Sequence, residues 1–310
     1  MQRVVWRDTV VGMGATGRAR FSDVFDATFR LNAAGNNIFV GLDVLRGLVD
    51  GINDFVACRQ PRWQSDESCG AVLLGSSFGL NDDDLLRAVE QLTAACIVVS
   101  KPERTQYWDD IHRELARRNE QEQPPGLPLE AIYELGELAP LKHGRPLVVG
   151  PSTRVPETIS AFRTLGFRKT AGRYPPLVHA KLALMGHLLH RHVDAPGDVE
   201  AVAFQPVRLW VSSANFTKGS HRNIEFGYWT DDPAMLKAAE HLLVRLIAES
   251  EAVDTNAEDW SPEMAPVEYD HDAMIEAMAE VEAEERYAQL EQDAQVEDWI
   301  ASHDADESEE

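Results

Sequence analysis

His179, Lys181, Ser213, Asn215 and Glu225 have the residue types and the spacing for chemistry at phosphorus. They fall in three pieces: His179-Ala180-Lys181, Ser212-Ser213-Ala214-Asn215 and Asn223-Ile224-Glu225. Each piece lies in or just after an alternating apolar run, namely Leu177/His179/Lys181/Ala183, Leu209/Val211/Ser213 and Ile224/Phe226/Tyr228. Period-two alternation predicts strands, on which residues i and i+2 share a face. His179 and Lys181 are therefore predicted side by side on one strand, Ser213 on a second, and Glu225 near the start of a third. A neutral imidazole can attack phosphorus. A lysine and an asparagine can donate to the non-bridging oxygens where charge builds up, and a carboxylate on the far ring nitrogen would fix the imidazole tautomer.

HAK followed by SSANFTKGSHRNIEFG resembles the phospholipase D superfamily, whose signature is HxK, then GSxN, then an acidic residue. The likeness is carried by His179, Lys181, Ser213, Asn215 and Glu225 and covers the stretch from Leu177 to Asp231. Two positions depart from the pattern. Gly186 stands where the family usually has an aspartate, which points away from lipases, and Ser212 replaces the glycine of GSxN. The resemblance implies a phospholipase D-type α/β/α sandwich with a mixed central sheet. It also implies a phosphodiesterase that works through a phosphohistidine, with no metal and no cofactor. The family's site needs two HxK units and this chain supplies one, so the resemblance implies a homodimer with the site on its two-fold axis.

A chain of 310 residues can bury one large core, or one domain and an appendage. Its 44% hydrophobic and 8% aromatic content is ordinary for a globular protein. No apolar run reaches the length of a membrane span. The start, MQRVVWRDTV, lacks the apolar centre of a signal peptide. Cys58, Cys69 and Cys96 have no metal-binding spacing and read as reduced thiols of a cytoplasmic protein.

The net charge of −23 is unevenly placed. Residues 251–310 hold 22 Asp/Glu against Arg286 alone, a net of −21, which leaves 30 acids and 28 bases in residues 1–250. The expected division is a catalytic domain over 1–250 and an acidic, partly helical tail over 251–310. Within the body, Lys142, Arg145, Arg154, Arg163, Arg168, Lys169, Arg173 and Lys181 face one acid, Glu157. A positive stretch running into His179 suits a polyanionic substrate, and it also reads as a solvated basic face. Arg173, Lys169, Lys218, His221 and Arg222 are the expected substrate-binding residues.

Other elements must hold these pieces in place. Gly12, Gly14 and Gly17 match GxGxxG and read as an entry loop, because no acidic residue closes a second strand at the dinucleotide-binding spacing. Helical spacing is predicted from Phe21 to Asn32, Val44 to Val56, Arg104 to Glu120, Leu129 to Leu138 and Pro156 to Leu165. Ile38–Leu42, Ala71–Leu74, Ala95–Val99 and Leu147–Val149 read as strands. Asn81-Asp82 is predicted to cap a helix over 83–92, and Pro233 to open the last helix of the body. Ser76 and Ser77 echo Ser212 and Ser213 and read as a strand-to-helix turn. His187, His190 and His192 read as loop histidines, since their spacing does not converge on a metal.

In the tail, Asp272–Ile300 carries a sparse apolar stripe among acids. It reads as a solubilising segment, or as a mimic of nucleic-acid phosphate that shields His179 or engages a partner protein. If it shields the site, a chain ending near Ser250 should cleave faster and bind DNA more tightly. The function expected is that of a nuclease on nucleic acid; by analogy alone, it would belong to a restriction or phage-defence assembly. The alternatives are a non-catalytic nucleic-acid-binding or scaffold subunit, and a phospholipid phosphodiesterase, which the lack of an apolar membrane-binding stripe disfavours.

Overall fold

The computed structural model describes residues 29–33, 36–57, 68–101, 105–141, 144–151, 158–166, 177–193, 199–254 and 261–306. They group into two compact units, one within Met1–Leu138 and Pro156–Met264, the other within Ala139–Val155 and Ala265–Glu310.

The first unit is built on a nine-stranded sheet. Its strands are β1 (Phe29–Ala33), β2 (Asn36–Gly41), β3 (Ser68–Ser77), β4 (Ala94–Ser100), β5 (Phe162–Leu165), β6 (Leu182–Val193), β7 (Val199–Ser212), β8 (Glu225–Thr230) and β9 (Glu251–Ala252). Their spatial order is β1-β2-β8-β7-β6-β3-β4-β5-β9. The β3–β4 and β4–β5 pairs are parallel and the others antiparallel, so the sheet is mixed.

The apolar runs of β3 and β4 divide by parity between two cores. Leu73, Ala95, Ile97 and Val99 join one, with α1 (Leu45–Ala57), α2 (Asp83–Val89) and α3 (Gln106–Glu120). Val72, Leu74, Ala94, Cys96 and Val98 join the other, with residues 127–135 and α5 (Pro233–Ala248); between these lies the short α4 (Tyr133–Gly136). A strand buried on both faces cannot alternate apolar with polar, so its sequence reads as an unbroken apolar run. Burial pushes the Cys96 thiol up to about 12. Asp82 caps α2 through Leu85 N at 2.8 Å, and Pro233 opens α5, both as the sequence predicts.

Three helical expectations are corrected. Phe29–Asn32 lies in β1, paired with β2, because Phe29, Leu31 and Ala33 already alternate with polar residues; positions 21–28 lie outside the described residues, as does the GxGxxG stretch. Thr158–Ile159 is a short strand on Leu127–Pro128, and Phe162–Leu165 is β5, whose Phe162, Arg163 and Thr164 are all buried. A slot between β4 and β9 overrides the helical spacing there. Leu129–Leu138 breaks into a 3-10 turn over Leu129–Ala131 and the one-turn α4. The three histidines of HLLHRH lie in β6, not in a loop. His187 is buried and stacks on Phe55 with ring centroids 4.8 Å apart, and that burial lowers its pKa.

The expected boundary at residue 250 falls inside the sheet unit. Lys101 is fully buried and pairs with Glu251 at 2.5 Å. Arg163, 2% exposed, donates to Ser250 Oγ at 2.6 Å and to Glu263 at 2.9 Å. Arg163 therefore serves the core and not substrate steering. A chain cut at Ser250 loses both carboxylates, so a test of tail removal must cut after Met264.

In the second unit, Val148–Val149 pairs in parallel with Glu268–Tyr269. The helix α6 (His271–Asp306) follows, capped by the Asp270 carboxylate on Ala273 N at 3.1 Å. Ile275, Met278, Val281 and Tyr287 are exposed along it.

Breaking a buried ion pair by removing one partner is costly, because a desolvated charge loses its counter-ion. Glu251→Gln is expected to lower stability by about 3 kcal/mol, read as an earlier urea midpoint; an unmoved midpoint would show that the Lys101–Glu251 pair holds nothing together.

Candidate active site

His179 and Lys181 stand just outside β6, not within it as the alternation predicts: residues 177–181 form no ladder. Serine hydroxyls and one backbone amide hold this segment instead. Ser100 Oγ donates to Val178 O at 3.2 Å, Ser76 Oγ to Ala180 O at 3.1 Å, and Ser212 N to Lys181 O at 3.1 Å. Buried carbonyls must find donors, and those donors stand at the ends of β4, β3 and β7. The backbone is thereby fixed at Val178, Ala180 and Lys181, leaving the His179 ring exposed.

The Lys181 ammonium is tucked beneath that ring. The residue is 6% exposed, and Nζ lies 2.8 Å from His179 Nδ1 and 3.2 Å from Nε2. Burial holds the lysine below its usual range, and the Glu225 carboxylate partly offsets this. Glu225 opens β8 and accepts a hydrogen bond from Ser213 Oγ. Among the described residues of this one chain, its side-chain hydrogen bond goes to Ser213.

The Ser212–Asn215 turn is pinned in the same way as the lysine segment. Ser212 Oγ donates to Phe226 O at 2.9 Å and accepts from Ala214 N at 2.8 Å. Ser213 N donates to Phe226 O at 2.9 Å, and Phe226 N donates back to Ser213 Oγ at 3.0 Å. Ser77 Oγ accepts from Phe216 N at 3.0 Å. The Oδ1 of Asn215 is buried with no hydrogen-bond partner among the described residues. The arrangement therefore brings together His179, Lys181, Ser213 and Glu225 through direct or electrostatic contacts, with Asn215 in the adjoining turn. Ser76, Ser77 and Ser100, which position them, are not marked as site residues by sequence. The echo of Ser76-Ser77 in Ser212-Ser213 is the one signal that could have found two of the three.

Gly186 explains the missing aspartate. The ladder slips between Met185 and Gly186, and a Cβ there would lie 2.3 Å from Gln205 O. No side chain fits at that bulge.

Of the expected substrate-binding residues, Arg173 and Lys169 lie outside the described residues. Arg222 is exposed. Lys218 is exposed and pairs with Asp83 at 2.7 Å. His221 is clamped: Nδ1 meets Asp43 Oδ1, and Nε2 meets Asp82 Oδ2 at 2.6 Å. It therefore ties the turn after Asn215 to the start of α2. Among the described residues no group of His, Cys, Asp and Glu side chains is placed to hold a metal ion, and no helix is long and apolar enough to cross a membrane.

Comparison with protein-family models and with curated proteins finds no match. Among solved structures the chain is similar to NucT from Helicobacter pylori, at 10% identity over 70% of this chain and 98% of that one, with a TM-score of 0.38. It is also similar to Nuc from Salmonella typhimurium, described as a phospholipase D family member, at 11% identity over 70% and 97% of the two chains, TM-score 0.34. Polyphosphate kinase from Porphyromonas gingivalis matches at 14% identity over 67% of this chain and 25% of that one, TM-score 0.33.

Burial lowers the pKa of His221, but the hydrogen bonds to Asp82 and Asp43 outweigh it and raise the pKa above 6.5. A histidine raised on folding stabilises fully below its unfolded pKa and loses that contribution as pH climbs through the folded value. The stability difference between wild type and His221→Gln should therefore be largest below pH 6.5 and shrink toward alkaline pH. Urea titrations across that range check it, and a gap that widens with pH contradicts the clamp.

Proposed function

We propose that this chain is a phosphodiesterase, a nuclease acting on nucleic acid through a phosphohistidine, with its site shared between two copies. The observation that carries this reading is the exposed His179 ring resting on the buried Lys181 ammonium, 2.8 Å from Nδ1. An ammonium N–H at that distance from the ring stands where the non-bridging oxygens of a phosphodiester at His179 would come. A phosphate oxygen is the stronger acceptor for that N–H. Its binding draws the lysine off the ring and frees the nitrogen for attack.

In the first step a bond forms between the His179 nitrogen and phosphorus while the bond to the leaving oxygen breaks, and the partner subunit's His179 gives that oxygen its proton. In the second, the partner's imidazole takes a proton from water, whose oxygen displaces His179 from phosphorus. Lys181 stabilises the charge on the non-bridging oxygens. Asn215 joins it if its amide turns the NH2 toward the place where Oδ1 now lacks a partner. Glu225 offsets part of the burial that works against the charge of Lys181. Because these cations and amides supply the charge stabilisation, the reaction is proposed to need no metal.

Exposed apolar side chains on and next to the Glu225 strand support the reading that a second copy binds there. Ile224 is 45% and Phe226 46% exposed on either side of Glu225, and Val40, 38% exposed, faces Phe226 across the β2–β8 pair. An exposed apolar patch on the strand that carries Glu225 suits a self-complementary contact.

His179→Ala should lose at least about 100-fold in phosphodiester cleavage, and wild type should keep its rate in EDTA; dependence on an added divalent cation would refute the mechanism. Sedimentation should give a dimer for wild type and a monomer for Phe226→Asp, with cleavage lost alongside. An active wild-type monomer would sink the shared site.

A further inference from the structure

Three aromatic rings lead away from His179. Phe78 follows β3 directly, and its ring centroid lies 5.9 Å from that of His179. Trp108 meets Phe78 edge-on at 5.2 Å, and Tyr107 meets Trp108 at 5.0 Å. The indole is fixed against backbone: a Cβ at Gly79 would come within 2.6 Å of it, so only glycine lets the ring lie there. At the end of the row Tyr107 is 52% exposed, and its hydroxyl accepts from Asn81 Nδ2 at 3.1 Å.

Tyr107 forms one wall of a cavity of about 270 Å³ between α2 and α3, with Leu80 and Ile111 inside it and Asn81, Asp110 and Lys218 at its rim. Lys218 N donates to Asn81 Oδ1 at 3.0 Å, and Asn81 N donates to Phe216 O at 3.0 Å. The cavity is thus tied by backbone bonds to the turn that carries Asn215. Its volume is near the lower end for small-ligand pockets, about 300–1,000 Å³.

We infer that this cavity is a nucleobase subsite, and that the substrate is single-stranded nucleic acid with one base against Tyr107 and a nearby phosphate at His179. The inference rests on the phosphodiesterase reading of His179 and names its substrate class. A half-exposed ring set against an indole, which Gly79 and Phe78 hold in turn, offers a stacking platform. Stacking a base on such a ring is worth about 1–3 kcal/mol and accepts any base. Asp83, Asp110 and Glu114 line the cavity together with Arg118 and Lys218. These cations are already engaged by carboxylates, Lys218 by Asp83 at 2.7 Å and Arg118 by Glu114 at 2.8 Å, which leaves a phosphate little to bind inside. The occupant is the base, and the sugar–phosphate chain runs outside. Lys218 stands at that outer rim, 57% exposed at its side chain. Paired bases inside a duplex are already stacked and cannot reach the ring.

The test is equilibrium binding to the full chain carrying His179→Ala, with fluorescein-labelled oligodeoxyadenylate and a labelled hairpin duplex as probes. Adding Tyr107→Ala should weaken single-strand binding about tenfold. Tyr107→Phe should restore it, and duplex binding should stay unchanged in both. Equal losses on both probes, or no loss on the single strand, overturn the subsite. Wild-type turnover of bis(para-nitrophenyl) phosphate, which has no base, reads the enzymatic proposal separately. No turnover together with Tyr107-dependent binding defeats the enzyme and leaves the subsite standing, while turnover with no Tyr107 effect does the reverse.

Discussion

Where the central strands of a sheet buried on both faces come to an end, backbone carbonyls and amides lose their ladder partners without reaching water. Each must be paired or it costs about 1–3 kcal/mol. In this protein serines meet that demand. Ser76 and Ser100 bind the carbonyls of Ala180 and Val178, Ser77 takes the amide of Phe216, and Ser212 bridges Phe226 and Ala214. The segments they hold are the ones that carry His179, Lys181 and Asn215. Satisfying the ends of the sheet and positioning the site are one task, done by the same hydroxyls.

The same economy explains how a charged lysine comes to sit beneath an exposed ring. Lys181 is anchored by its own carbonyl to Ser212 N at 3.1 Å, so its stem runs inward. Burial works against its charge, and Glu225 works for it. Glu225 is itself held by the hydroxyl of Ser213. A carboxylate placed to sustain a buried ammonium is a different device from one that orients an imidazole, and it gives the proposed reaction a pre-set cation close to the nucleophile.

Farther out, carboxylates keep other cations inside the fold. Glu251 and Glu263 follow α5 and hold Lys101 and Arg163. His221 sits between Asp43 and Asp82 and binds the turn after Asn215 to the start of α2. The acidity of the residues after Ser250 is therefore of two kinds. Glu251 and Glu263 neutralise buried bases of the sheet unit, and many of the others lie along the helix His271–Asp306.

Local pattern by itself determined the elements whose period is strong and whose ends are marked by caps. The helix at Leu45–Ala57, the Asp82 cap, the Pro233 start and the buried runs of β3 and β4 were all legible. The grouping of His179, Lys181, Ser213 and Glu225 was legible too, from short fixed spacing on or beside neighbouring strands. What only tertiary structure decided depends on partners distant in the chain. β5 is a strand because β4 and β9 flank it, against its helical spacing. Gly186 admits no side chain because Gln205 O approaches it from the neighbouring strand. Glu225 binds Ser213, and Arg163 turns inward to Ser250, because folding brought those atoms within reach. Periodicity records which face a residue buries; which group waits on that face is settled only when strands far apart in sequence pair.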